Sequence, residues 1–204
     1  MSRRIGWFIC ASALVLSSCI GIQSDIRISD DGSGQLTLAY TVSQFIKNID
    51  AGRSEQQLPL PINEAEFRRT TEGIEGLRLR RLEQSEDEEN VYIQAEIEFD
   101  SVEAVNALGR DGQIGISLET RGEAHIFRQL IYEAREGEEP EEESLEMIEA
   151  FFEGYELVYS ITAPAQIQTH SLGELAPDGR TVVYAATVPE ILKNSEPLVL
   201  EVVW

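Results

Sequence analysis

The residue best placed for covalent chemistry is Cys19, one of only two cysteines in 204 residues. Ahead of it stand a basic head, Met1-Ser2-Arg3-Arg4, a mostly apolar run over residues 5–16, and then Leu16-Ser17-Ser18. A basic segment, an apolar core of roughly 7–15 residues and small residues at a cut define a secretory signal peptide. The run is shorter than the roughly 18 apolar residues of a membrane-spanning helix. Other reactive groups are sparse. His125 and His170 are the only histidines, and Cys10 lies inside the signal, so the thiol and imidazole sets that bind zinc are missing. No Gly-x-Ser-x-Gly elbow, phosphate loop or dinucleotide fingerprint occurs. A glycosidase needs two carboxylates, and 37 acidic residues single out no such pair. The two histidines read as surface or edge residues.

The order Leu16-Ser17-Ser18-Cys19 resembles the lipobox of bacterial lipoproteins. That resemblance implies a diacylglyceryl group on the Cys19 thiol, cleavage after Ser18, and N-acylation of the new terminus by a chain such as palmitate. Residues 1–18 then form the signal and 19–24 a lipidated tether. Membrane attachment through two or three acyl chains is stable, because each buried methylene contributes about 0.8 kcal/mol. No other cofactor is expected. Ile20 after the lipid site favours outer-membrane sorting where aspartate at that place signals retention.

A formal charge of −21 becomes more negative when Arg3 and Arg4 leave with the signal. Such a surface argues against nucleic acid, which is held by clustered Lys and Arg. It also argues against adhesion to anionic lipid through the protein itself. The processed chain has no thiol left for a disulfide, so packing must hold it together.

The pattern behind these residues is strand pairs with helices between them. Strands at 25–29 and 35–42 flank Asp30-Asp31-Gly32-Ser33-Gly34, a turn rich in residues that accept positive φ. Set on a calcium-loop frame, with Gly32 at the sixth place, that turn puts Arg27, Ser29 and Leu38 where ligands belong, so it reads as a hairpin turn. Phe45, Ile46 and Ile49 have helical spacing over 43–49, a loop follows to 63, and Asn63 caps a helix over 64–72. Strands at 77–85 and 91–99 form a second hairpin whose alternation turns Val91, Ile93, Ala95, Ile97 and Phe99 inward. A helix over 101–108 and strands at 114–120 and 124–134 come next. The stretch 136–149 carries eight glutamates and no base, the mark of a solvated segment. A helix from 144 to 154 presents Phe151 and Phe152. Strands at 155–163, 181–188 and 198–204 close the chain, with a short helix or turn at 189–193 and His170 in a loop. The expected fold is one α+β domain over 25–204, an antiparallel sheet built from hairpins with short helices packed on it. Helices of this kind ordinarily cover a sheet. An acyl-chain cavity lined by Phe45, Ile46, Ile49, Phe151 and Phe152 is the alternative.

Several segments are similar to the LppM-type lipoprotein domain. They are the lipobox at Cys19, the turn Asp31-Gly32-Ser33-Gly34, the run Ala95-Glu96-Ile97-Glu98-Phe99-Asp100-Ser101-Val102-Glu103, and the C-terminal part. In that part Val158-Tyr159-Ser160-Ile161-Thr162-Ala163-Pro164 is followed by Gly179-Arg180-Thr181-Val182-Val183-Tyr184 and a last strand ending in Trp204. The resemblance implies an α+β domain tethered on the extracytoplasmic side of a bacterial envelope membrane, contacting lipid or glycolipid and bringing no catalytic residues. The acidic insertion at 136–143 and the 50–63 loop have no counterpart in it. The expectation is a non-enzymatic lipoprotein that binds or presents an envelope lipid or glycolipid. The alternative is an interaction module that docks a partner protein through its acidic surface.

Overall fold

The structure, a computed structural model, describes residues 20–44, 61, 63–108, 115–133 and 155–204. Its elements are β1 (Ile20–Ile28), β2 (Gly34–Ser43), α1 (Glu64–Glu72), β3 (Leu77–Glu86), β4 (Asn90–Phe99), α2 (Val102–Asn106), β5 (Ile116–Arg121) and β6 (Ala124–Tyr132). They continue with β7 (Glu156–Thr162), β8 (Thr169–His170), β9 (Glu174–Leu175), β10 (Thr181–Thr187), α3 (Val188–Leu192) and β11 (Leu198–Val203). The fold is α+β, with the strands in two sheets. The larger runs β3-β4-β2-β1-β7-β10-β9 and the smaller β5-β6-β11-β8.

Alternation decides which face each strand buries. Val91, Ile93, Ala95, Ile97 and Phe99 of β4 are all buried, each 3% exposed or less. They lie opposite Val42, Tyr40, Leu38, Leu36 and Gly34 of β2. Gly34 has to be glycine, since a Cβ there would fall 2.0 Å from the Arg27 carbonyl oxygen and 2.5 Å from the Phe99 ring. Two covers sit on this inner face. The small sheet lays Ile116, Phe127, Leu200 and Val202 against Ile26, Ile97, Ile161 and Val182. Further along, α1 sets Phe67 on Tyr40, with ring centroids 6.4 Å apart, over Val91, Ile93 and Ala95. The Asn63 side chain starts α1 by accepting from the Glu66 N–H at 3.0 Å. Ser101 does the same for α2, and Thr187 and Glu190 form a reciprocal capping box for α3.

The structure corrects four expectations. The stretch expected as tether, 20–24, belongs to β1: it pairs with both β2 and β7, and Gly21 and Ser24 are buried. The large sheet is mixed, because β1 and β7 run parallel. There are two sheets where one was expected. His170, expected in a loop, sits in β8 opposite Val202. The expected helices at 43–49 and 144–154 and the acidic stretch lie outside the described residues, apart from Ser43, which ends β2, and Gln44.

Candidate functional site

Among the described residues, two open depressions mark the surface. The first, about 620 Å³, is a trough on the outer face of the large sheet. Gln23, Ala39 and Gln94 lie in one row across β1, β2 and β4, and the small Ala39 makes the floor between two amides. Tyr92, whose hydroxyl donates to Asp87 at 2.8 Å, stands at one end.

The second, about 800 Å³, is a cleft at the end of the two-sheet sandwich. It is assembled from parts far apart in sequence: the β1–β2 turn with Ser29, Asp30, Asp31 and Gly32; Leu118, Thr120, Glu123 and His125 of the β5–β6 hairpin; the 164–168 loop; and Trp204. Local chemistry fixes each wall. In the turn, Asp31 accepts from the Ser33 N–H at 3.1 Å and the Ser33 hydroxyl at 2.6 Å, and Gly32 takes φ +83°. Those bonds, the hydroxyl's first, hold the Asp31 carboxyl below the usual carboxylate range, so at neutral pH it is a fixed negative charge and an acceptor. On the second wall, His125 and Trp204 exchange both backbone hydrogen bonds, at 2.9 and 3.1 Å. Their rings stack with centroids 5.8 Å apart, and His125 Nδ1 lies 3.1 Å from the Thr120 hydroxyl. The third wall is a loop fastened to both sheets. Ile167 N–H donates to the Gly179 carbonyl and Gln168 N–H to that of Val203, while the Gln166 amide reaches the Asp178 carbonyl at 3.3 Å. Asp178 in turn accepts from the N–H groups of Arg180 and Thr181, which lowers its own carboxyl and stiffens the turn that braces the loop.

The cleft therefore offers carboxylates at Asp30, Asp31 and Glu123, amides at Gln166 and Gln168, hydroxyls at Ser29 and Thr120, and an imidazole. Its charge repels phosphates and carboxylates and suits hydroxyl or ammonium donors. Among the described residues no three His, Cys, Asp or Glu side chains are grouped to hold a metal ion. No helix among them is long and apolar enough to cross a membrane.

Of the residues singled out in the sequence, Leu16, Ser17, Ser18, Cys19, Phe45, Ile46, Ile49, Phe151 and Phe152 lie outside the described residues. The hairpin turn at 30–34 and His125 meet in the cleft. His170 does not join them: it is exposed, with its ring near the Leu172 carbonyl at 3.2 Å. Thr120, Glu123, Gln166, Gln168 and Trp204 carried no functional signal in the sequence, because only the pairing of β6 with β11 and the 164–168 crossover bring them together.

No protein-family profile and no curated protein matches this sequence. Among solved structures it is similar to the NMR structure of the Mycobacterium tuberculosis LppM folded domain. The identity is 13%, with 99% of this chain and 94% of that one covered and a TM-score of 0.47, a distant likeness at most.

Proposed function

We propose that this chain is a lipoprotein of the bacterial envelope, anchored by acyl groups on Cys19, whose domain is a non-enzymatic binding module. Its ligand is the hydroxylated, glycan part of an envelope glycolipid, held in the cleft beside Trp204. Two sequence features support the anchor: the signal pattern, and the lipobox-like Leu16-Ser17-Ser18-Cys19. The observation that carries the ligand class is the cleft's lining, in which carboxylates and amides converge next to a stacked indole. Carboxylates and planar amides pair with sugar hydroxyls, and Trp204, only 5% exposed, stacks on the His125 ring and fixes that wall. The Asp31 carboxyl is held low, so at neutral pH it stands ready to accept hydrogen bonds from hydroxyls.

The test is a titration of residues 20–204 with neutral oligosaccharides, followed by indole fluorescence and amide chemical shifts. Saturable shifts at Thr120, His125, Gln168 and Trp204 are expected, and they should be lost in Asp31→Ala combined with Gln168→Ala. Native mass spectrometry supplies the opposing arm. Co-purified acyl lipid, with no response to any saccharide, would overturn the glycan reading in favour of a lipid cavity.

A further inference from the structure

The start of β1 and the cleft lie at opposite ends of one strand. Ile20, the residue after Cys19, is already paired with Glu156 of β7, and Ile22 with Tyr40 of β2. Gly21 is buried so closely that a Cβ on it would come within 3.0 Å of Tyr155. Between a lipidated Cys19 and the folded sheet there is therefore one Cα–Cα step of about 3.8 Å, and no spacer on which the domain can swing. β1 is also the fourth of seven strands, so the anchor hangs under the middle of the large sheet.

Beside Ile20, at the same end, stand the last residues of β2, the first of β7 and, through the Glu156–Thr187 pair, the start of α3. From there β1 runs nine residues, about 30 Å at about 3.3 Å per residue, and delivers the chain into Ser29 and Asp30 at the cleft. The β3–β4 turn, with Glu86, Asp87, Glu88 and Glu89, lies at the anchored end, where Gln44 N–H donates to the Glu89 carbonyl at 2.7 Å. Anionic headgroups repel that turn.

Taking the Cys19 anchor of the proposed function as given, we infer that the end of the large sheet at Ile20, Glu156 and Thr187 faces the membrane and the cleft opens away from it. The cleft then receives its glycan from outside the anchoring leaflet, not from a lipid embedded beside it.

The experiment uses the full chain, processed in a bacterial host and reconstituted into phosphatidylcholine–phosphatidylglycerol vesicles carrying a headgroup-linked quencher. The mature protein's only thiol is consumed by lipid, so Glu156→Cys and Asp30→Cys each accept a single fluorophore. Quenching several-fold stronger at residue 156 than at residue 30 is expected. Inserting ten Gly/Ser residues between Cys19 and Ile20, a linker whose ends lie about 17 Å apart on average, should shrink that difference. Equal or reversed quenching in protein that floats with vesicles and carries the lipid mass overturns the orientation alone. A difference untouched by the spacer also overturns it. An intact mass without lipid on Cys19 overturns the anchor, and the orientation with it.

Discussion

The two covers on the inner face of the large sheet are built differently. Over β1, β7 and β10 lies a second sheet, and there Phe127, Leu200, Val202, Ile161 and Val182 are completely shielded from solvent. Over β2 and β4, among the described residues, lies one nine-residue helix, whose buried residues are Phe67 and Thr71. The sheet cover is tied on by crossings at α2, at the 163–168 loop and after α3, whereas α1 is held by its cap, one ring and a turn into β3. Fixed cleft walls belong to the sheet-covered half: the β1–β2 turn is closed by its own hydrogen bonds, His125 pairs with Trp204, and the 164–168 loop is bonded to β11. The helix-covered half contributes no residue of α1, β3 or β4 to the cleft, so opening there is expected to leave the site intact.

The strongest way to break this comparison is to remove the keystone of each cover. Phe127→Ala leaves a void enclosed on all sides, for which about 3–5 kcal/mol is typical. It should unfold both halves together in a denaturant titration, with one transition by fluorescence and by far-ultraviolet circular dichroism. Phe67→Ala removes a ring of similar size from beneath a helix that can shift or leave, so the cost should fall near the lower end, about 3 kcal/mol. Its signature is local: amide exchange speeds up across α1 while β6 and β11 stay protected. Equal acceleration across both sheets would show that the halves do not open separately.

Alkaline titration sharpens the same contrast. Burial raises the phenol of Tyr40 well above its ordinary value, with the Glu66 charge adding to it, and burial likewise raises that of Tyr159, beside Tyr184. A raised phenol pKa means the unfolded chain ionises first. The stability these tyrosines supply is whole below about pH 10 and is lost as pH climbs through the folded values. Phenolate absorbance should thus lag in the native protein. Tyr40, with the larger rise, should ionise after Tyr159 while both halves stay closed. Tyr40 ionising first in site-resolved spectra would show that the helix-covered half opens before the phenols titrate.

Sequence patterning reached the helix-covered half more fully than the cleft. Strict alternation in β4 named five buried residues correctly, and Asn63 announced α1, because both signals are local. The start of β1 escaped for a local reason too: its inward parity runs Ile22, Ser24, Ile26, Ile28, and the buried Ser24, with the buried Gly21 before it, breaks the apolar pattern. β8 and β9 are two residues each and exposed, too short for any periodicity. The cleft was illegible for a different reason. His125 and Trp204 face each other only because β6 pairs with β11, and the Asp31 turn meets them only because the sheets stack. Neither pairing leaves a trace in local spacing.

The smallest effect probes an imperfection inside the better-sealed half. Gln129 shares its strand face with Phe127, opposite Ile116 and Leu200, and is 6% exposed. Its Oε1 is buried with no hydrogen-bond partner among the described residues. An unsatisfied buried acceptor costs about 1–3 kcal/mol, which the surrounding strands must offset. Met has nearly the shape of Gln and no polar group to desolvate, so Gln129→Met should raise stability by about 1 kcal/mol, read as a higher denaturant midpoint at unchanged slope. The gain belongs to the sheet-covered half alone, so amide protection should rise on β5, β6 and β11 and stay constant on α1. A loss of stability would mean the amide is satisfied in solution, by a water in the sandwich, and that this half is less tightly closed than its burial indicates.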